Sequence, residues 1–342
     1  MKLDATIRGI ALRDAGDWVE ASERLGFDGV WTTETNTDPF FPLVLGAART
    51  QRVELGTGIA LAFPRSPTHL AHAAWDLNTL SEGRFILGLG SQVKAHVVRR
   101  FSAEYERPVA RMREMLAAVR AIWTTWSGGD ALDFRGEFFQ HTLMPPAFCP
   151  PDRGFGHPRI ALAGVQPRMT ELAGEAADVF LAHPLQTRAY VADVLLPAIE
   201  RGLDAAGRSR SDIEVSLALF AVSDAEERED VRRRIAFYAS TPQYRAVLDV
   251  HGWQSLGDEL HAMTRAGKWD EMAALVPDEV VDEVAVSGAS ADEIAQQTIA
   301  RYEGLVDRVN IHAGEEAELG RLEELITAFR GAMDGDSSGR AS

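Results

Sequence analysis

The sequence predicts a single (β/α)8 TIM barrel, a fold in which eight parallel strands are surrounded by helices. Short apolar runs alternate with longer segments of helical period along most of the chain, as in a parallel sheet built from βα units. Eight of these runs qualify as strands. A length of 342 residues suits one large domain of this class, and 46% hydrophobic with 25% charged residues indicates a folded globular protein.

The strand candidates share an apolar run bounded by turn-forming residues. They are Leu3–Arg8, Gly29–Thr33, Val53–Ile59, Phe85–Gly90, Arg159–Ala163, Val179–His183, Ile213–Val222 and Asp307–His312. The helix candidates share an apolar stripe of helical period. They are Ala15–Leu25, Pro42–Arg49, Pro67–Leu80, Tyr105–Trp126, Gln166–Glu175, Ala189–Ala206, Ala291–Tyr302 and Glu315–Arg330. Glycines at positions 26, 83 and 207 follow three of these helices and predict their ends.

Two segments exceed the needs of a bare barrel, at residues 127–158 and 224–289. The first contains Phe134-Arg135-Gly136-Glu137-Phe138, which predicts a small hairpin, and then a loop rich in proline and glycine. The second predicts extra helices, with no strand before Asp278–Ala285. We therefore expect one barrel domain over residues 1–330, with both insertions near the active face, and a tail without regular structure over residues 331–342.

The charge balance narrows the classes of partner. The chain has 51 acidic and 35 basic residues, a formal net charge of −16, which disfavours binding to nucleic acid or to an anionic membrane surface. The single cysteine, Cys149, excludes an intrachain disulfide and a cysteine-rich metal site. No apolar run reaches the ~18 residues of a membrane span, and the N-terminal segment does not read as a signal peptide. We expect a cytoplasmic protein.

Candidate functional residues lie at the predicted C-terminal ends of the strands, where barrel enzymes carry their active sites. Glu34 and Thr35 follow the second strand within a polar run. The Glu34 carboxylate either faces a ligand or is solvated and caps the next helix. In the third strand, Gly56 and Gly58 predict a bulge or a close approach of the backbone to a flat ligand, with simple packing as the alternative.

Two glycine turns on neighbouring strands predict an anion site. Gly90-Ser91-Gln92 follows the fourth strand, and Ala163-Gly164-Val165-Gln166 follows the fifth and leads into a helix N-terminus. Neither turn has the spacing of a Rossmann or P-loop motif. Arg168 lies next to the second turn, where it either joins the anion site or, as we expect for a single arginine, forms an ion pair with Glu171 or covers the helix.

Other catalytic classes have little support in the sequence. His69 and His72 are spaced on one helix, but no carboxylate–histidine cluster converges with them, so we expect no metal site. His183 ends the sixth strand and is the best functional candidate among the nine histidines. The sequence lacks the Gly-x-Ser-x-Gly motif of a serine nucleophile, which disfavours covalent hydrolysis. We interpret Cys149 as a small apolar residue that fills space in a loop.

An ordered set of motifs gives the chain a family resemblance. The motifs are Leu55-Gly56-Thr57-Gly58-Ile59, Pro67-x-x-Leu70-Ala71, and Asp76-x-x-x-Leu80-Ser81-x-Gly83-Arg84-Phe85-x-Leu87-Gly88-Leu89-Gly90. With Leu25-Gly26-Phe27-Asp28-Gly29-Val30-Trp31 and Glu171-Leu172-Ala173-Gly174-Glu175-Ala176-Ala177-Asp178, they resemble the bacterial-luciferase-like superfamily of flavin and deazaflavin oxidoreductases. The similarity extends from Met1 to about Gly314 and is strongest to the branch that uses coenzyme F420, a 5-deazaflavin.

The resemblance implies a cofactor ring at the C-terminal mouth of the barrel. Gly58 and Ile59 would support the face of the ring through a non-prolyl cis peptide bond between them. The cofactor phosphate would bind the two glycine turns, at positions 90–92 and 163–166. The resemblance also implies a homodimer that pairs through the helices beside the second and third strands.

Two positions depart from the pattern of the deazaflavin dehydrogenases. Thr35 stands where these relatives often have the histidine of an acid–histidine pair, and Val93 stands where they often have a catalytic glutamate. Glu34 or His183 would then have to manage any proton. We therefore take Glu34, Thr35 and His183 as the candidate catalytic residues.

The predicted activity is hydride transfer between coenzyme F420 and an unidentified small organic substrate, with the substrate pocket shaped by the two insertions. An FMN-dependent luciferase-like monooxygenase is the nearest alternative, since the two cofactors share a ring and a phosphate. A cofactor-binding protein without turnover and a metal-dependent barrel hydrolase are the alternatives from other classes.

Overall fold

Eight parallel strands close into a barrel in the computed structural model, which describes residues 1–312 and 319–339. The strands are β1 (Lys2–Ile7), β2 (Gly29–Thr33), β3 (Glu54–Leu61), β4 (Phe85–Gly90), β5 (Arg159–Gly164), β6 (Val179–Ala182), β7 (Glu214–Val222) and β8 (Arg308–His312). Each strand pairs with the next, and β8 returns to β1 with Asp4 opposite Asn310. The predicted (β/α)8 barrel is confirmed.

Helices surround the strands in the order that the periodicity predicts. They are α1 (Ala15–Leu25), α2 (Phe40–Ala47), α3 (Pro67–Leu80), α4 (Lys94–Arg99), α5 (Pro108–Trp126), α6 (Pro167–Ala176), α7 (Arg188–Tyr190), α8 (Leu196–Ala206), α9 (Ala225–Ala239), α10 (Arg245–Asp249), α11 (Gln254–Arg265), α12 (Asp278–Val284), α13 (Ala291–Tyr302) and α14 (Leu319–Gly339). A π-helical turn, Val191–Leu195, joins α7 to α8. Across the described residues, no helix has the length and apolar character that crossing a membrane requires.

Several predicted boundaries move for local reasons. Helix α5 begins at Pro108 rather than Tyr105, because proline suits the first turn of a helix and Arg107 before it has a positive φ of 40°. The predicted start of the last helix, Glu315, lies outside the described residues. That helix continues to Gly339, so the predicted tail without regular structure over residues 331–342 is wrong for residues 331–339. Residues 340–342 lie outside the description.

Both insertions are present as extra structure. Phe134–Arg135 pairs with Gln140–His141 in the predicted hairpin. In the second insertion, Asp278–Val284 is a helix and only Ala285–Ser287 is a strand, which extends the sheet beside β7. The valine-rich run therefore gives a wrong strand prediction over most of its length, because its Pro-Asp-Glu start favours a helix N-terminus.

An ionic layer fills the N-terminal end of the barrel interior. It consists of Lys2, Asp4, Glu54, Arg159, Glu214 and Arg308. Arg308 and Asp4 are fully buried and form a bidentate pair, with Nε–Oδ2 and Nη2–Oδ1 distances of 2.8 and 2.7 Å. Trp31 donates its indole N–H to Asp4 at 2.9 Å, and the Arg308 guanidinium lies 5.5 Å from the Trp31 ring centroid. This end of the barrel is closed by paired charges.

Candidate functional site

A cavity of about 2380 Å³ opens at the other, C-terminal end of the barrel. Every candidate site residue predicted from the sequence lines it: Glu34, Thr35, Gly58, Ile59, Gly90, Ser91, Gln92, Ala163, Gly164, Val165, Gln166 and His183. The strand ends, the two glycine turns and the second insertion thus converge on one space. This is the position at which barrel enzymes carry their active sites.

The wall at Gly58 is a bulge between β2, β3 and β4. Thr32 lies opposite Thr57, but Thr33 lies opposite Ile59, so Gly58 is left out of the pairing. A Cβ on Gly58 would lie 2.6 Å from the Thr32 carbonyl oxygen, which only glycine permits. The predicted bulge is confirmed, whereas the alternative, a close approach of the backbone to a flat ligand, stays a prediction. The implied cis bond between Gly58 and Ile59 is wrong: no peptide bond among the described residues is cis, and the register shift makes the bend instead.

The Thr57 hydroxyl stabilises this bulge from inside the sheet. It donates to the Gly88 carbonyl at 2.7 Å and accepts from the Gly88 N–H at 2.8 Å, in place of the usual ladder. A Cβ on Gly88 would meet the Thr57 carbonyl oxygen at 1.7 Å. The glycines of both strands therefore allow the backbones to approach closely beneath the cavity wall.

Glu34 is buried and ion-paired. Its Oε2 accepts from the Leu61 N–H at 2.8 Å and from Arg65 Nη1 at 2.6 Å. Arg65 also contacts Asp38 at 3.0 Å and lies over the Phe40 ring at 5.6 Å. The carboxylate thus ties the end of β2 to the end of β3, which favours a positioning role over that of a free acid.

Thr35 and the first glycine turn form the adjoining rim. Thr35 is exposed, and its carbonyl accepts a hydrogen bond from Arg100. Gln92 has a positive φ of 54°, and its Oε1 accepts from the Val93 N–H at 2.9 Å. The Tyr105 hydroxyl donates to the Gln92 carbonyl at 3.2 Å. These contacts hold the turn in shape without any ligand.

The second turn leads into α6 and carries a free cation. The Tyr190 hydroxyl donates to the Val165 carbonyl at 2.7 Å, and Gln166 Nε2 donates to the Gln243 carbonyl of the second insertion at 2.7 Å. Arg168 does not form the expected ion pair, because Glu171 faces Arg201 at 3.5 Å. Among the described residues Arg168 has no hydrogen-bond or ion-pair partner, and it lines the cavity beside the α6 N-terminus.

His183 lies among aromatic rings of the second insertion. Its ring centroid is 4.6 Å from that of Tyr238 and 4.4 Å from that of Tyr244. Its Nδ1 accepts from the Leu185 N–H at 3.0 Å, which leaves the proton on Nε2. Burial, with a smaller contribution from the Arg8 charge, lowers the pKa of His183 to about 3. The imidazole is neutral at physiological pH and can donate a hydrogen bond.

Arginines line the cavity, but most of them are paired. Of the described residues that line it, six are arginines (Arg8, Arg107, Arg113, Arg168, Arg233, Arg234) and three are acidic (Glu34, Asp38, Glu171). Four of the arginines form ion pairs with carboxylates outside this lining: Arg107 with Glu137, Arg113 with Glu175, and Arg233 and Arg234 with Asp230. Arg168, beside the α6 N-terminus, is therefore the lining cation that is available to attract an anionic ligand.

Sequence reasoning missed several groups in and around the cavity. Asn310 lies between Val309 and Ile311 in β8, and this polar residue between two apolar ones was a signal available in the sequence. Arg65, which is the partner of Glu34, sits in a loop with no motif. Tyr238 and Tyr244 reach His183 from 55 or more residues further along the chain, a contact that spacing does not reveal.

The helical histidines have ordinary partners. His69 Nδ1 is 2.8 Å from the Ser66 hydroxyl oxygen, and the His72 ring centroid is 4.6 Å from that of Trp126. In the described part of the chain, no three His, Cys, Asp or Glu side chains are placed to share a metal ion. These histidines contribute to the packing around α3.

Comparison with known proteins agrees with this geometry. Residues 2–308 match the family model described as luciferase-like monooxygenase. The chain belongs to this luciferase-like family. The match covers nearly the whole barrel, from β1 to the start of β8.

Three individual similarities illustrate this membership. An uncharacterized protein of Mycobacterium tuberculosis is 46% identical over 315 residues, 90% of this chain and 92% of the relative. A provisionally named coenzyme F420-dependent oxidoreductase of the same organism is 30% identical over 333 residues, 90% and 93% of the two chains. The solved coenzyme F420-dependent tetrahydromethanopterin reductase of Methanopyrus kandleri superposes with a TM-score of 0.75 at 19% identity, covering 95% and 96%.

Proposed function

We propose that this protein is a coenzyme F420-dependent oxidoreductase that transfers a hydride between the deazaflavin and a small organic substrate. The observation that carries the proposal is the cavity bounded by the Gly58 wall and by both glycine turns, with Arg168 unpaired among the described residues beside the second turn. Relatives whose names include coenzyme F420 support the choice of cofactor.

The residues present fit a flat ring joined to an anionic chain. Gly58 and Gly90 present backbone without side chains, and a Cβ on Gly90 would lie 2.9 Å from Ile59 Cγ2. We propose that Gly58 and Ile59 support the ring. We propose that Ser91, Gln92 and the turn at 163–166 hold the phosphate, since Arg168 and the α6 N-terminus add positive charge there.

We propose distinct roles for the three candidate catalytic residues. When bound, the deazaflavin supplies a carbon that accepts or releases hydride. Glu34 orients the end of β3 through Leu61 and Arg65, and thereby the wall behind the ring. Thr35 lines the ring edge, and His183 donates a hydrogen bond from neutral Nε2 rather than moving a proton as an acid.

A fluorescence titration of the purified protein with coenzyme F420 and, separately, with FMN tests the proposal. We expect micromolar binding of F420 and binding of FMN at least ~10-fold weaker, a difference of about 1.4 kcal/mol. Tighter binding of FMN would instead support a luciferase-like monooxygenase. Binding of neither cofactor would overturn the proposal. Tight F420 binding without reduction by any alcohol tested would favour a cofactor carrier.

We also propose a cytoplasmic homodimer. Helices α2 and α3 lie beside β2 and β3 and expose apolar side chains to solvent, with Val44 40% and Leu80 44% exposed. A second copy would cover this face. Light scattering of the purified protein tests the proposal, and a monomeric mass at micromolar concentration would contradict it. The lone cysteine, which is free, suits a reducing compartment.

A further inference from the structure

The cavity is larger than a single drug-sized ligand needs. Binding sites for drug-sized molecules typically measure about 300–1,000 Å³, whereas this cavity measures about 2380 Å³. The Gly58 wall and the two glycine turns occupy only one side of it. The opposite side is formed by the ends of β6, β7 and β8 and by the second insertion.

Asn310 gives this opposite side a polar floor. The residue is 8% exposed, and its Oδ1 accepts from the Thr6 hydroxyl at 2.9 Å. Its Nδ2 has no partner among the described residues, and Asn310 lines the cavity. Because Arg308, two residues earlier in β8, points into the barrel, Asn310 points the same way, one layer above the ionic layer. The Asn310 amide can therefore donate a hydrogen bond to a ligand on the cavity floor.

His183 provides a second donor across β7. Strand β7 pairs with β6 on one side and with β8 on the other. Its lining residues, Ser216 and Ala218, are small, so they leave space between Asn310 and His183. Since Nδ1 of His183 is engaged by Leu185, the protonated Nε2 is the nitrogen available to a ligand.

A pair of tyrosine rings bounds the same space. We call Tyr238 and Tyr244 the ring pair; their centroids are 5.9 Å apart, their planes differ by 67°, and both flank His183. Tyr238 belongs to α9, and Tyr244 to the 3-10 turn after it. Burial raises the pKa of Tyr244, so its hydroxyl stays protonated. Aromatic walls of this kind favour a flat, apolar molecule.

We infer that Asn310, His183 and the ring pair form an acceptor subsite, which binds a flat organic molecule through one carbonyl or hydroxyl oxygen. The inference rests on the proposed function for what the bound molecule then does. The two N–H donors hold the oxygen, and the ring pair holds the body of the molecule.

Benzaldehyde and toluene are suitable probes, because they share a flat ring and differ in the oxygen. Binding of each is measured by saturation-transfer NMR to the wild-type protein, with and without saturating F420. We expect benzaldehyde to bind at least five-fold more tightly than toluene. Asn310→Ala should remove most of this preference, and Tyr244→Leu should weaken both probes alike.

Controls separate this inference from the proposed function. F420 affinity is titrated in every variant, and we expect it to change less than two-fold. Gln243→Ala, on the same insertion, keeps the ring pair and should preserve the preference for benzaldehyde. Thermal melting of each variant shows whether a lost preference for benzaldehyde reflects unfolding. Asn310→Ser, which retains a hydrogen-bonding side chain, is the conservative variant for the same purpose. Equal binding of the two probes to wild type, or an unchanged preference in Asn310→Ala, would overturn the subsite, whereas failure of F420 to bind would overturn only the cofactor assignment.

Discussion

The polar side chains at the two ends of the barrel differ in whether they have hydrogen-bond or ion-pair partners. At the N-terminal end, the six charges of the ionic layer are paired with one another, and Arg308 alone contacts Asp4, Glu54 and Glu214. At the C-terminal end, the Arg168 side chain and the Asn310 amide nitrogen have no partner among the described residues. Saturated polar groups stabilise a fold, whereas unsaturated ones are available to a ligand.

The largest expected effect comes from breaking the saturated end. Among the described residues, the carboxylate of buried Asp4 accepts side-chain hydrogen bonds from Arg308 and Trp31 alone. Arg308→Met therefore leaves this carboxylate with the Trp31 N–H as its one donor. Loss of one member of a buried ion pair costs about 3–5 kcal/mol of unfolding free energy. Urea denaturation measures the loss. Arg135→Met removes the exposed pair with Asp133 and should cost under about 1 kcal/mol.

The double variant sharpens this prediction. Asp4→Leu with Arg308→Met removes both buried charges, so it should be more stable than Arg308→Met alone. A double variant that is as unstable as the sum of two single losses would mean that packing, and not the unpaired charge, carries the cost.

A smaller effect is expected at the unsaturated end, and on binding rather than stability. Arg168→Ala should weaken F420 binding about 10-fold, or about 1.4 kcal/mol, because an unpaired cation beside a helix N-terminus is lost. The unfolding free energy should change by less than about 0.5 kcal/mol. Fluorescence titration and urea denaturation of the same samples measure both quantities.

Arg201→Ala is the matched control for that experiment. Arg201 is about half exposed, faces Glu171 from α8 and does not line the cavity. We expect neither affinity nor stability to change. An equal loss of F420 affinity in both variants would show that general charge, rather than the position of Arg168, attracts the cofactor.

A further prediction concerns pH. Burial would raise the pKa of Glu214, but hydrogen bonds from Lys2 and Arg159 outweigh it and lower the pKa to about 2. A carboxyl group whose pKa is lowered by folding stabilises the protein above its unfolded pKa, and this stability is lost as the pH falls. We expect wild type to lose stability between about pH 4.5 and 2. Glu214→Gln should lose less over this range, as followed by thermal melting.

Asp4 complicates the pH profile in a way that the same experiment resolves. Burial raises the pKa of Asp4, although Arg308 and Trp31 oppose the rise. As the pH falls, protonation of Asp4 therefore favours the folded state, whereas protonation of Glu214 destabilises it. A melting temperature that stays constant from pH 7 to 2 in wild type would contradict the predicted dominance of Glu214 and Glu54, whose pKa is also lowered.

The sequence predicts the barrel and the place of its cavity because both depend on local signals. Apolar runs mark the strands, and glycines mark the turns at 90–92 and 163–166 that line the site. The side-chain partners of the site residues do not follow from local signals. Glu34 meets Arg65, and His183 meets Tyr244, through contacts between segments that approach each other only after folding. The conformation of the Gly58–Ile59 bond likewise depends on register with β2.

The bidentate contact between Asp4 and Arg308 joins the first strand to the last. During synthesis Asp4 leaves the ribosome well before Arg308, from which 303 residues separate it. Until then the nascent chain has no counter-ion for that carboxylate inside a barrel, so closing the sheet early carries a penalty. The salt bridge therefore couples barrel closure to the arrival of the final strand, and it disfavours collapse of an unfinished polypeptide into a closed form.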